Sequence, residues 1–275
     1  MACNRNCSSC GVGGCKDRTT DSLLVETAKE NNIKKIIGVV SGKGGVGKST
    51  VTSLLAINMA KKGYKVGILD ADITGPSIPK AFGIEEEIGG TEELMFPPLS
   101  RLDIKVMSIN LLIDEPTKPV LWRGPVIGNA IKQFYSNVLW EDLDYLFIDM
   151  PPGTGDVALT VFQSLPVDGV VIVSTPQDLV SMIVGKAVNM CKMMNVKMLG
   201  LVENMSYFEC PCCGEVLRPF GPSRLEEVAL EYDLKPLDSL PLNSDLVSLV
   251  DQGLIEELDS DMLNTTASLL EDLIK

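Results

Sequence analysis

The sequence predicts an α/β fold in which a mainly parallel sheet carries helices on both faces. Three observations predict it. From Ile33 onward, short β-branched runs alternate with amphipathic stretches, the pattern of βαβ units. Several of those runs are apolar at consecutive positions, as strands covered on both faces require. The first run also leads through a glycine-rich loop into a helical pattern, and sheets of this kind bind ligands at the carboxyl ends of their strands.

Along the chain, residues 1–18 hold Cys3, Cys7, Cys10 and Cys15 with Gly, Ser and Asn between them and almost nothing apolar. Such a segment buries no core and is ordered by a ligand or not at all. Residues 19–32 read as a polar helix or linker, and 33–275 as the α/β domain. Its first strand is expected at 35–40 (KIIGVV), followed by a loop and a helix at 48–61. A second strand follows at 65–70 (KVGILD). Segment 84–120, rich in Glu, Gly and Pro, is the least regular part, with one strand inside it at 104–109. The remaining strands are expected at 145–149, 169–174 and 198–203, and the remaining helices near 126–138, 157–164 and 179–194.

Composition narrows the chemistry. The 275 residues include eight cysteines and no histidine. Ser-His-Asp and Cys-His nucleophile systems are therefore excluded, as are HExxH or mixed Cys/His zinc sites and histidine pH switches. Acid–base work falls to Asp, Glu, Lys or water, and any transition-metal site of the protein's own must lean on thiolates. With 24 Lys+Arg against 37 Asp+Glu the net charge is −13, which opposes binding to nucleic acid or an anionic membrane surface. Aromatics at 5% are too few for a base-stacking platform. The N-terminus lacks the apolar core of a secretion signal, and runs such as 170–173 fall far short of a membrane span. The expected compartment is the reducing cytoplasm, where clustered cysteines serve metal or redox chemistry more than disulfides.

The loop after the first strand, SGKGGVGKST at 41–50, fits G-x-x-x-x-G-K-[ST] at Gly42, Gly47, Lys48 and Ser49, between a strand and a helix. Glycines let backbone N–H groups curl around phosphate oxygens, and the helix start adds a positive dipole end. The nucleotide-binding set is thus Gly42, Lys43, Gly44, Gly45, Val46, Gly47, Lys48, Ser49 and Thr50, with Lys48 on the β/γ-phosphates and Ser49 on Mg2+. The expected fold is accordingly a P-loop NTPase three-layer sandwich. Two acidic stations follow at strand ends. Asp149, after four apolar residues, has the Walker B pattern of an Mg2+-holding aspartate. Asp70 and Asp72 close the second strand, and Asp72 is the candidate for orienting the attacking water. A strand-end Asp is otherwise a helix cap or turn residue.

Cys210 and Cys213 form a C-x2-C pair with Cys212 between them. Two thiolates cannot close a four-coordinate site alone, and the spacing suits zinc as well as an iron–sulfur cluster. Cys191, among methionines, reads as a core or interface residue.

The motifs together resemble the Mrp/ApbC-type P-loop ATPases that carry iron–sulfur clusters, a deviant-Walker group that also holds MinD, ParA and the nitrogenase iron protein. The resemblance rests on VSGKGGVGKST, LDADITGPSIP, the WRGP stretch at 122–125, WEDLDYLFIDMPPGTGD at 140–156 and ENMSYFECPCCG at 203–214. It implies a homodimer with ATP between the subunits, Lys43 reaching the partner's phosphates, and Asn204 at the adenine. It also implies a 4Fe–4S cluster transferred to apo iron–sulfur proteins. A two-fold axis would bring two C-x2-C pairs together, so the ATP-dependent dimer would complete a bridging site. Cys3, Cys7, Cys10 and Cys15 are candidates for a second site, for cluster or zinc, the remaining alternative being an unstructured segment. Competing classes are a MinD/ParA-like positioning switch and an electron-transfer reductase like the nitrogenase iron protein.

Overall fold

The computed structural model describes residues 23–72, 77–86, 88–112, 124–177, 180–258 and 261–275. The expectations for residues 1–22, for Trp122 and Arg123 of WRGP and for residues 73–76 of the LDADITGPSIP stretch lie outside these residues. The main sheet runs β10 (Pro236–Pro241), β8 (Met198–Glu209), β7 (Gly169–Ser174), β1 (Asn32–Ser41), β6 (Asp142–Asp149), β2 (Val66–Asp70) and β5 (Lys105–Ser108), every neighbouring pair parallel. The short β9 (Val216–Leu217) pairs antiparallel with the end of β8. A separate two-stranded ribbon, β3 (Gly89–Gly90) with β4 (Met95–Phe96), lies in the irregular segment before β5.

The consecutive apolar runs have a direct cause. Side chains alternate faces along a strand, and both faces are cores. In β1, Ile36 and Val40 enter one core while Ile37 and Val39 enter the other; β6 divides Leu146 and Ile148 from Tyr145 and Phe147 in the same way. The first core is closed by α3 (Gly124–Ser136), α4 (Asp156–Ser164), α5 (Val180–Met193) and α6 (Leu225–Tyr232). The second is closed by α1 (Lys48–Lys61), α2 (Ser77–Phe82), α7 (Ser244–Gln252) and α8 (Asn264–Ile274). This is the three-layer arrangement the sequence predicts.

Two departures matter for the site. The strand expected at 198–203 continues to Glu209, passing Met205 at φ 57°, and carries the chain beyond the sheet into the β8–β9 hairpin. The edge strand β10, PLDSLP, has prolines at both ends and polar residues inside, so it lacks the run that marks the central strands. Before β1, residues 23–31 are fastened by Val25 N–H to Ser164 O (2.8 Å), Thr27 Oγ1 to Tyr135 O (3.1 Å) and Asn31 Nδ2 to Val138 O (2.9 Å).

Because the sheet is parallel, the P-loop, Asp70, Asp149 and Asn204 all emerge at one pole. The C-terminal helix α8 turns its apolar face inward: Ala267 and Leu270 are fully buried, and Tyr145 donates to Leu270 O at 2.9 Å. Leu270→Ala should therefore cost about 2–5 kcal/mol, read as a lower urea midpoint; an unchanged midpoint would show that α8 is not docked.

Candidate functional site

At two of its glycines the loop between β1 and α1 is approached too closely to admit a side chain. Gly47 sits at φ 78° as the residue before α1, and a Cβ there would lie 2.1 Å from Asn204 Nδ2. A Cβ on Gly42 would meet Ile183 O of α5 at 2.2 Å. Asn204 Nδ2 donates to Val46 O at 2.9 Å, so the strand that carries Asn204 is fastened directly to the loop.

At the start of α1, Lys48 turns inward. Its ammonium lies 2.7 Å from Asp149 Oδ1 and 3.4 Å from Asp72 Oδ2, with side-chain exposures of 5% for Lys48 and 0% for Asp149. Ser49 Oγ donates to Asp149 Oδ2 at 2.5 Å, and Thr52 Oγ1 to Asp149 Oδ1 at 2.9 Å. Thus four sequence-predicted residues, Lys48, Ser49, Asp72 and Asp149, are brought together. Ser49 Oγ and Asp149 Oδ2 are paired hard oxygen donors, the kind of ligand Mg2+ takes.

Asp70 stands beside this group. β2 and β6 are in register at Asp70 and Asp149, so two buried carboxylates share one level of the sheet. Burial first, and the Asp149 charge second, push the Asp70 carboxyl well above the usual carboxylate range. Ser108 Oγ (2.7 Å) and Asp72 N–H (3.0 Å) donate to it and oppose that shift. Sequence reasoning missed Thr52 and Ser108. The available signals were the i+4 spacing of Thr52 from Lys48 and the position of Ser108 at the end of β5.

Lys43 points away from this buried group. Its Nζ donates to Gln177 Oε1 at 2.5 Å, on the connection between β7 and α5. Gln177 is another residue that sequence reasoning passed over.

The cysteine pair occupies the tip of the β8–β9 hairpin. Cys210 N–H donates to Glu215 O (2.9 Å), and Gly214 N–H to Cys210 O (2.8 Å), closing a tight turn. Within it the nearby backbone N–H groups of Cys212 and then Cys213, followed by the Cys213 thiol, hold the Cys210 thiol below its ordinary range. Cys210 is half-buried, while Cys212 and Cys213 are exposed. Among the described residues no group of three or more Cys, Asp or Glu side chains is gathered as a complete metal site. A cleft of about 380 Å3 separates the hairpin from the start of α7, lined among others by Tyr207, Cys210, Cys212, Leu242 and Asn243. Cys191 is buried in α5, and burial pushes its thiol up to about 11, as suits a core residue. Cys3, Cys7, Cys10 and Cys15 lie outside the described residues.

A glycine loop clamped between a parallel strand and a helix, with an inward lysine and a strand-end aspartate, defines a P-loop nucleoside triphosphatase. Residues 32–274 match the family model described as ParA: NUBPL iron-transfer P-loop NTPase. An iron–sulfur cluster carrier protein of Clostridium perfringens is 49% identical over 260 residues, covering 91% of this chain and 90% of its own. The iron–sulfur cluster carrier protein of Methanocaldococcus jannaschii is 43% identical over 259 residues, covering 92% and 89%. Among solved structures, a nucleotide-binding protein of Archaeoglobus fulgidus in complex with ADP superposes with a TM-score of 0.74 at 48% identity, over 83% of this chain and 90% of that one. The chain belongs to the Mrp/ApbC-type family of iron-transfer P-loop NTPases.

The shift at Asp70 sets a sign for stability. Its pKa is raised in the folded state, so its contribution is fully present below the unfolded value of about 3.9 and is lost as pH rises through the folded value. Asp70→Asn, in protein free of nucleotide and Mg2+, should therefore become progressively more stable than wild type as pH rises from about 4. Urea midpoints across pH test this, and parallel curves for the two proteins would refute it.

Proposed function

We propose that the chain binds and hydrolyses ATP with Mg2+ as a homodimer and carries a 4Fe–4S cluster that it transfers to apo iron–sulfur proteins. The observation that carries this reading is β8. One strand holds Asn204, bonded to the P-loop at Val46, and leads directly into Cys210 six residues later at the tip of the hairpin. The names of the relatives, iron–sulfur cluster carrier proteins, point the same way.

In this reading the backbone from Gly42 to Thr50 wraps the phosphates and Lys48 reaches the β/γ oxygens, exchanging its contact with Asp149 for them. Ser49 and Asp149 hold Mg2+, which neutralises charge on the phosphates. Asp72, 3.4 Å from Lys48, orients the attacking water. Asn204 contacts the adenine. Lys43 acts on the nucleotide of the partner subunit, as an arginine finger does. Cys210 and Cys213 supply two thiolates per chain, and the two-fold axis supplies the other two. The cluster is then cargo that only the dimer can hold. Cys3, Cys7, Cys10 and Cys15 form a second site, for cluster or zinc, in a separate N-terminal extension.

A membrane-positioning switch of the MinD kind needs an amphipathic segment free to leave the domain. Here α8 has its apolar residues committed to the core, and among the described residues no helix is long and apolar enough to cross a membrane.

Anaerobic reconstitution with iron and sulfide tests the cargo site. The Cys210→Ala, Cys213→Ala double variant should lose the bridging cluster, about four iron atoms per dimer, together with transfer to an apo-acceptor; unchanged iron content and transfer would overturn the assignment. Separately, Lys43→Ala should reduce hydrolysis by about 10^3 or more, the range for a finger residue, while ATP affinity stays close to wild type. Wild-type turnover would remove Lys43 from the reaction.

A further inference from the structure

We infer that Gln177 is a positioning residue for Lys43: it holds the ammonium against its own subunit, and breaking that contact is part of forming the hydrolytically competent dimer. The inference rests on the reading of Lys43 as the lysine that crosses to the partner's nucleotide, and it adds the element that restrains it.

Both partners of the contact are set by fixed backbone. Ser41 Oγ donates to Lys43 O at 2.9 Å, and Gly42 is wedged against the Ile183 carbonyl, so the stem of Lys43 leaves the loop from a defined position. On the other side, Gln177 N–H donates to Thr175 O at 2.9 Å, a three-residue turn centred on Pro176. Proline fixes φ at the centre of that turn, so the Gln177 side chain is presented from a stiff support and not from a wandering loop. The P-loop thus meets this part of the chain twice, sterically at Gly42 against Ile183 of α5 and by a hydrogen bond from Lys43 to Gln177 on the connection before it.

The chemistry of the acceptor also matters. Among the described residues Lys43 makes no ion pair with a carboxylate. A neutral amide oxygen holds it in solvent-exposed surroundings. An amide orients an ammonium without neutralising it, so the lysine keeps its full charge and is readily released to phosphate oxygens, which attract it more strongly. A carboxylate in the same place would compete with the phosphates.

The experiment replaces the amide by its charged isostere and by nothing. With full-length protein, Mg2+ and ATP, Gln177→Glu should lower turnover about two- to fivefold at about 0.1 M salt, the range of an exposed ion pair. The deficit relative to wild type should shrink near 1 M salt, where the Debye length falls from ~10 Å to ~3 Å. ATP affinity, measured by equilibrium binding, should stay within about twofold, because a net exposed pair contributes little elsewhere. Gln177→Ala should raise turnover by about twofold, the release of one exposed contact. The inference is overturned if Gln177→Glu matches wild type, if its deficit ignores salt, or if Gln177→Ala turns over at or below the wild-type rate. Lys43→Ala, run alongside, separates the two ideas. If it is inactive while both Gln177 variants behave as wild type, only the restraint is wrong. If it hydrolyses ATP like wild type, the crossing role falls and the restraint with it.

Discussion

Lys48 and Asp149 meet almost out of reach of water, and the arrangement around them is built to make that tolerable. Removing two charges from solvent is costly, and attraction between them repays it only when their remaining hydrogen-bonding capacity is met. Here Asp149 accepts from Lys48, Ser49 and Thr52, and Lys48 has Asp72 as a second anion. Three of these residues lie on the first turns of α1, and Asp149 ends β6. The pair therefore pins the start of a helix to the neighbouring strand and fixes the height of the P-loop above the sheet. Asp70 bears the consequence: buried first of all, and beside the Asp149 charge at the same level, its carboxyl is displaced toward the neutral form.

The parallel sheet is what lets such a cluster assemble from distant sequence. Strands β1, β2, β6, β7 and β8 all end at one pole, so residues from five separate stretches converge without any one stretch being unusual. Strand β8 goes further than the others. Its extension past Asn204 carries the chain from the P-loop to the cysteine hairpin, so displacement of Asn204 and displacement of Cys210 are movements of one continuous strand. Only a few residues of extended backbone therefore separate the P-loop contact at Asn204 from the cysteine hairpin.

Much of this was legible in sequence, for identifiable reasons. Strands with both faces covered must be apolar throughout, and 169–174 reads as the strand that is observed. Lys48, Ser49 and Asp149 belong to a motif whose spacing is fixed by the chemistry of phosphates. Thr52 and Ser108 were not legible, because a lone hydroxyl reveals nothing until the strand register or the helical turn places it beside a carboxylate. The length of β8 was hidden because the polar Glu203 and Asn204 break the apolar run without ending the strand. Strand β10 was hidden because an edge strand is not obliged to be apolar. The restraint on Lys43 was invisible for a similar reason: Gln177 is 134 residues away in sequence and becomes its neighbour only through the pairing of β1 with β7.

The absence of histidine then takes on a positive meaning. A chain without imidazole has no side chain whose ordinary pKa lies near neutrality. Its surroundings here move two other groups toward that range from opposite sides. Burial and a neighbouring carboxylate push Asp70 up, while backbone N–H groups in the hairpin turn draw Cys210 down. The first shift favours a proton beside the phosphate-binding cluster; the second favours a thiolate, the form in which cysteine binds iron. Both arise from placement and not from residue type, and both sit at the pole where the parallel strands end. A fold that concentrates charge at the ends of its strands, and extends one of them into a cysteine turn, obtains its raised carboxyl and its lowered thiol from the same architecture.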